Sequence, residues 1–289
     1  MKLLVLPGMG DVLWVATALQ SFIAKHAPGE RPEVWIWDFD GRRRSLEYVE
    51  RIPFVRAAGY WTHPLVEPEF TESYMADGRS IFPDFHGFDF YLSANGVLRQ
   101  GGTVNRAFRG YDIDWYFPIT QTPAELEHLS SAQQRGRYIV AHLSEFGMFR
   151  HWVGAWGLGG CAELVRGVQE RTGLPVLLTG CEWDRPFAEQ VAKRTGAENL
   201  CGATDLDQFF GLFRAAAGCI GWCGGNTIKS VYLRRPTVII WSGYFKNPGF
   251  YRNACPPDAW NKWYEAAVVE KERPSEVADR FARLLERRS

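Results

Sequence analysis

The stretch Lys2-Leu-Leu-Val-Leu-Pro-Gly-Met-Gly-Asp-Val-Leu-Trp-Val-Ala-Thr-Ala-Leu19 decides how the rest of the chain is read. Its apolar run, Leu3 to Leu6, has the character of a short buried strand. Pro7-Gly8-Met9-Gly10-Asp11 breaks the run, and from Val12 to about Lys25 the pattern becomes amphipathic and helical. A strand, a glycine turn and a helix start form a corner suited to anions. Gly8 and Gly10 let a ligand approach the backbone, and the unbonded N–H groups of the helix start face it. Asp11 stands at that start. Two readings of it remain open: a helix cap, and a carboxylate presented to a substrate.

Working outward, Glu33-Val-Trp-Ile-Trp37 reads as a second strand, ending in Asp38-Phe-Asp-Gly41 and the trio Arg42, Arg43 and Arg44. The carboxyl end of a strand in an open parallel sheet faces the ligand crevice. The trio is therefore either an acceptor-binding cluster for an anion or a solvated loop. Residues 45–60 read as helical, interrupted by Pro53, and 61–87 as an irregular excursion. Phe88–Leu92 resumes a strand.

Beyond a polar stretch at about 121–136 a second alternation begins. Strands are expected at Tyr138–Ala141, Pro175–Leu178, Asn199-Leu200, Gly218–Gly221 and Val238–Trp241. Helices are expected over 160–172, 183–195, 206–217 and 226–233, with a last one from Ser275 to Arg287 that fits either half. This spacing predicts parallel sheets covered on both faces. The expected organisation is two Rossmann-like α/β domains, 1–130 and 131–289.

In this order the pieces resemble the lipopolysaccharide heptosyltransferases, glycosyltransferases of GT-B fold that use ADP-heptose. The likeness rests on three segments: Gly10-Asp11-Val12-Leu13 with its small-residue helix; Arg150-His151-Trp152 ahead of a helix and Pro175–Gly180; and Asn199–Leu206, Ile220-Gly221, a glycine turn and Arg235–Ile239. The family has Lys-x-Trp at the second segment. At the glycine turn it has an aspartate and, further on, a histidine, where this chain has Cys223 and Ile228. The resemblance implies a GT-B fold, with two domains facing across a cleft. It also implies an inverting transfer of a sugar from a nucleotide-diphosphate donor to an acceptor hydroxyl.

By the same resemblance Asp11 is the general base and Arg150 steadies the departing diphosphate, the work of the family's lysine. Donor binding is expected from Gly8, Gly10, Gly180, Glu182, Gly224, Gly225, Asn226, Thr227 and Lys229. Glu182 would take the ribose, and the glycines would offer N–H groups to phosphate. Acceptor binding falls to Arg42, Arg43 and Arg44. No metal motif is present, and the family's diphosphate binding needs none, so no metal or cofactor is expected.

Composition narrows the field. The 289 residues hold 33 basic and 33 acidic side chains, a formal charge of zero, which argues against nonspecific nucleic-acid binding by the whole surface. None of the six cysteines forms a C-x-x-C pair, so free thiols are expected rather than zinc ligands. Of the twelve tryptophans, most are expected in the core and some along a groove. No apolar run reaches membrane-spanning length, and a cytoplasmic location is expected. The acceptor is a glycan, a lipid-linked glycan or, as in some phage enzymes of this fold, a modified DNA base. A noncatalytic nucleotide- or sugar-binding protein is the reading from another class.

Overall fold

The computed structural model describes residues 1–38, 43, 45–62, 81–93, 137–143, 150–242, 248–256 and 258–287. In chain order its first elements are β1 (Lys2–Val5), α1 (Met9–His26), β2 (Glu33–Trp37), α2 (Leu46–Glu50), β3 (Arg56–Trp61), β4 (Ile81–Phe85) and β5 (Phe88–Leu92). Then follow β6 (Ile139–His142), α3 (Arg150–Thr172), β7 (Val176–Leu178), α4 (Arg185–Thr195), β8 (Glu198–Asn199), α5 (Leu206–Ala215) and β9 (Gly218–Trp222). The series ends with α6 (Gly225–Tyr232), β10 (Thr237–Trp241), α7 (Pro248–Asn253), β11 (Tyr264–Val268) and α8 (Pro274–Glu286). The chain divides into two compact units, Met1–Thr120 with Asn247–Ala254, and Gln121–Lys246 with Cys255–Ser289.

The first unit holds a five-stranded sheet ordered β3-β2-β1-β5-β4, parallel except for the antiparallel edge strand β4. Leu3, Leu4 and Val5 are all buried, so β1 is covered on both faces, as a central parallel strand must be. One cover is a cluster of Leu4, Trp37, Phe85, Phe88 and Tyr91. The discontinuous segment belongs here because the Trp14 indole N–H donates to the Ala254 carbonyl at 2.9 Å.

The second unit holds a six-stranded, wholly parallel sheet ordered β11-β10-β9-β6-β7-β8. Its strands β6, β9 and β10 are buried along their whole length. The last helix settles in this unit: α8 lies on α3, with Arg171 and Asp279 paired at 2.5 Å. Gly167 permits the approach, since a Cβ there would sit 3.0 Å from the Ala278 methyl.

Three elements differ from the sequence expectation. The helix expected over 45–60 is only α2, and Arg56–Trp61 is a strand. Its Ala-Ala-Gly core has poor strand propensity, and pairing with β2 overrides that. Part of the expected irregular excursion is β4, joined to β5 through His86 and Gly87, both at positive φ as a two-residue hairpin turn requires. Pro83 is tolerated because β4 is an edge. β11 was not expected at all, since Tyr-Glu-Ala-Ala-Val lacks an apolar run.

Candidate functional site

Each sheet reverses its strand order once, and ligands of open α/β sheets bind outside the carboxyl ends at such a switch. In the first unit the switch lies between β1 and β5; in the second it lies between β6 and β9. A glycine turn follows a strand at both places.

In the first unit the chain leaves β1 through Pro7 and enters α1 with Gly8 as its N-cap. Asp11 is thus the third residue of the helix and does not cap it; its carboxylate lies in the first turn, where the helix dipole favours it. A Cβ on Gly8 would sit 2.2 Å from Asp11 Oδ2, so the carboxylate folds back over the bare backbone of the N-cap. Burial first, and then the charge of Asp11, hold the Tyr91 phenol well above its ordinary range, against a hydrogen bond with Ser93. Both of those residues come from the end of β5, the other side of the switch.

Beside this corner lies the end of β2. Ser45, held at φ 72°, donates its hydroxyl to the Pro7 carbonyl at 2.7 Å and ties the loop after β2 to the glycine turn. Arg43 reaches Asp38 at 3.4 Å and lies 5.7 Å over the Tyr60 ring. Asp38 is 7% exposed, and its second oxygen, Oδ1, has no hydrogen-bond partner among the described residues. Of the arginine trio only Arg43 can be placed; Arg42 and Arg44 lie outside the described residues.

In the second unit β9 ends at Trp222, and Cys223-Gly224 turns into α6. The Thr227 hydroxyl accepts from the Gly224 N–H at 3.2 Å and lies 3.0 Å from the Trp222 carbonyl, closing the turn. The helix-start groups left to face a ligand therefore begin at Gly225 and Asn226. His142, at the end of β6, is 7% exposed. Its Nδ1 meets the Thr179 carbonyl at 2.9 Å. On the other side of β6, Gly180 leads into the exposed Glu182, which pairs with Arg185 at 3.2 Å.

No family model and no curated protein matches the chain. Solved structures do. The E. coli ADP-heptose LPS heptosyltransferase II is 16% identical over 100% of this chain and 99% of its own, with a TM-score of 0.62. A glycosyl transferase family 9 protein from Veillonella parvula is 13% identical over 100% and 97%, at 0.64. The E. coli heptosyltransferase WaaC with ADP is 15% identical over 100% of both chains, at 0.55.

The chain has the GT-B fold.

Within this GT-B chain the expected residues fall unevenly. Gly8, Gly10 and Asp11 share the switch corner of the first unit. Gly224, Gly225 and Asn226 form the switch turn of the second, and Gly180 and Glu182 the neighbouring strand end. Thr227 is fully buried, and its hydroxyl is used inside the turn. Lys229 is 0% exposed, with Nζ 4.5 Å over the Phe210 ring on α5. Gly224 remains part of the turn, but its N–H is taken by Thr227. Arg150 opens α3, and its side chain lies outside what is described. Ile228 is core.

Sequence reading missed His142, Asp38 and the Tyr91–Ser93 pair. The available signal was positional: each polar group lies within two residues of the carboxyl end of a strand. None of the six cysteines, all among the described residues, is in a disulfide. Among the described residues there is no group of three or more His, Cys, Asp or Glu able to hold a metal ion, and no helix long and apolar enough to cross a membrane.

Proposed function

We propose that the chain is an inverting glycosyltransferase that moves a sugar from a nucleotide-diphosphate donor to an acceptor hydroxyl. One observation carries the reading: both topological switches of a GT-B chain end in glycine turns, one bearing a carboxylate and the other an open helix start. In the reaction Asp11 removes the acceptor proton as that oxygen attacks the anomeric carbon. The bond from that carbon to the diphosphate breaks, and attack from the opposite face inverts the centre. Gly225 and Asn226 N–H groups and the Arg150 guanidinium take up the charge of the leaving diphosphate. Glu182, exposed at the end of β7, binds the donor's ribose, and Arg43 holds an anionic group of the acceptor. Similarity to heptosyltransferases makes an ADP-linked heptose the first donor to try. Six cysteines outside any disulfide fit a reducing compartment, and we place the reaction in the cytoplasm.

A panel of nucleotide sugars in a thermal-shift assay tests the donor half, because a bound ligand raises apparent stability by mass action. Turnover with Asp11→Asn tests the base. The family's acid and histidine positions are here the half-buried Cys223 and the core residue Ile228. This favours the noncatalytic binder as second reading. Donor binding without release of a diphosphate in the presence of any acceptor would select it.

A further inference from the structure

We infer that Asp38 is an acceptor-binding residue of the first unit, whose Oδ1 takes a hydrogen bond from a sugar hydroxyl of the acceptor. The inference deepens the acceptor half of the reading above and rests on it. It starts from an unbalanced carboxylate. Asp38 follows β2 directly, and its N–H donates to the Trp61 carbonyl at 2.8 Å, so the backbone there is pinned to β3. The residue is over nine-tenths buried. One oxygen, Oδ2, meets Arg43 Nε at 3.4 Å, longer than the roughly 2.7–2.9 Å of a close charge-assisted bond. The other, Oδ1, is enclosed with no hydrogen-bond partner among the described residues. A buried acceptor left unpaired costs stability, and its retention is explained by a donor that arrives from outside the chain.

The position is that of a substrate group. In the register of β1 and β2, Val5 is level with Ile36, so the exits of the two strands at Pro7 and Asp38 lie side by side. Neighbouring strands are about 4.8 Å apart. The bond from the Ser45 hydroxyl to the Pro7 carbonyl fixes the loop after β2 to the turn that leads to Asp11. Asp38 thus stands one strand over from the proposed general base, a spacing that one sugar ring bridges.

The neighbours choose the ligand class. Arg43 already compensates the Asp38 charge, so an ammonium group at Oδ1 would bring a second cation against the guanidinium. A metal ion would meet the same repulsion, and among the described residues no group of three His, Cys, Asp or Glu stands ready to hold one. A phosphate or carboxylate has no proton to give. A hydroxyl is a neutral donor, and its lone pairs accept from Arg43 or from the Tyr60 phenol, over whose ring the guanidinium lies at 5.7 Å. Burial above all, with a lesser push from Asp38, raises the Tyr60 phenol, so it keeps its proton and remains a donor. Oδ1 is closed to solvent, so binding displaces a cover. Arg43 is the side chain able to swing aside, since it is 70% exposed and its hold on Asp38 is long.

Ligand-observed NMR titration of the full chain tests this, first with methyl glucoside, methyl mannoside and methyl galactoside, then with the singly deoxygenated forms of whichever binds. Wild type is expected to bind at least one parent sugar, and one of its deoxy forms about 10- to 100-fold more weakly. In Asp38→Ala that difference is expected to vanish, with parent and deoxy form binding alike. No parent sugar bound by wild type, or every difference retained in a folded Asp38→Ala, would overturn the inference. If Asp38→Ala does not fold, Arg43→Gln decides with the amino sugar that carries its ammonium in place of the same hydroxyl. Wild type is expected to refuse it and Arg43→Gln to bind it; refusal by both would overturn the inference. ADP is titrated beside the sugars. ADP binding without the Asp38 effect would leave the donor half of the reading standing. The Asp38 effect without ADP binding would keep Asp38 as a sugar-binding residue and remove transfer from an ADP-linked donor.

Discussion

The Asp11 carboxylate occupies the volume that a side chain on Gly8 would need, with Oδ2 2.2 Å from the position of the missing Cβ. Gly8 has φ −63° and ψ 131°, which any residue adopts, so the glycine is required by its neighbour and not by its own backbone. Gly8→Ala should therefore displace the carboxylate while the helix still forms. If Asp11 is the base, Gly8→Ala and Asp11→Asn should each cut turnover by about 10²–10⁴ with nucleotide affinity nearly unchanged. Steady-state rates beside calorimetric ADP binding check this. A fully active Gly8→Ala enzyme would show that the position of Asp11 does not matter to catalysis.

Gly221 and Gly224, three residues apart, should respond in opposite ways. A Cβ on Gly224 meets nothing closer than 3.9 Å among the described residues, so Gly224→Ala should fold like wild type and weaken diphosphate binding by crowding the ligand's approach. A Cβ on Gly221 would strike the His142 carbonyl at 2.3 Å, so Gly221→Ala should lose about 1–3 kcal/mol of stability. Urea unfolding together with ADP titration separates the two effects.

Arg150 and Lys229 should also part company. Arg150→Ala is expected to weaken nucleoside-diphosphate binding by about 1.5–3 kcal/mol, the range for a hydrogen bond to a charged group. The Lys229 ammonium lies against Phe210 within the fold, so Lys229→Met should leave ADP affinity unchanged. Calorimetry on both variants settles the contrast; a large loss of affinity in Lys229→Met would place its charge in the donor site after all.

Alkali should unfold the protein early. Burial pushes the Cys161 and Cys201 thiols up to about 12 from an ordinary 9.0, and Cys219 and Cys255 are raised as well. Above about pH 9 the unfolded chain has lost these protons while the folded chain keeps them, so stability falls as pH rises. Each such thiol contributes up to about 1.4 kcal/mol per pH unit across that window and nothing below it. Denaturant midpoints should be level from neutral pH to about 9 and then decline. A level midpoint to pH 11 would mean that the thiols ionise equally in both states.

The sequence was most informative where a local rule and the tertiary fold agree. Leu3–Leu6 followed by Pro-Gly-Met-Gly-Asp announced a strand, a turn and a helix start because period, breaker and charge coincide there. Much of the second unit was legible for the same reason, since β7, β9 and β10 are apolar runs with a glycine two residues after their ends. β3 and β11 were hidden because Ala-rich strands are made by their partners. In the site, Asp11 and the glycine turn could be found by motif. His142 could not, because what singles it out is the Thr179 carbonyl, 37 residues away in sequence. That Thr227 and Lys229 are buried was not legible, because helix position does not reveal which face a neighbour covers.

The bond from Trp14 to Ala254 closes the first unit across 240 residues of chain. A ribosome adds about 5–20 residues per second. The indole that emerges first therefore waits on the order of ten seconds to a minute for the carbonyl that satisfies it. During that time the whole central sheet of the second unit, apart from β11, is synthesised. The earliest part of the chain to be made is thus among the last to be finished, and a nascent chain halted before residue 254 should leave Trp14 accessible to a quencher even where β1 and α1 have formed.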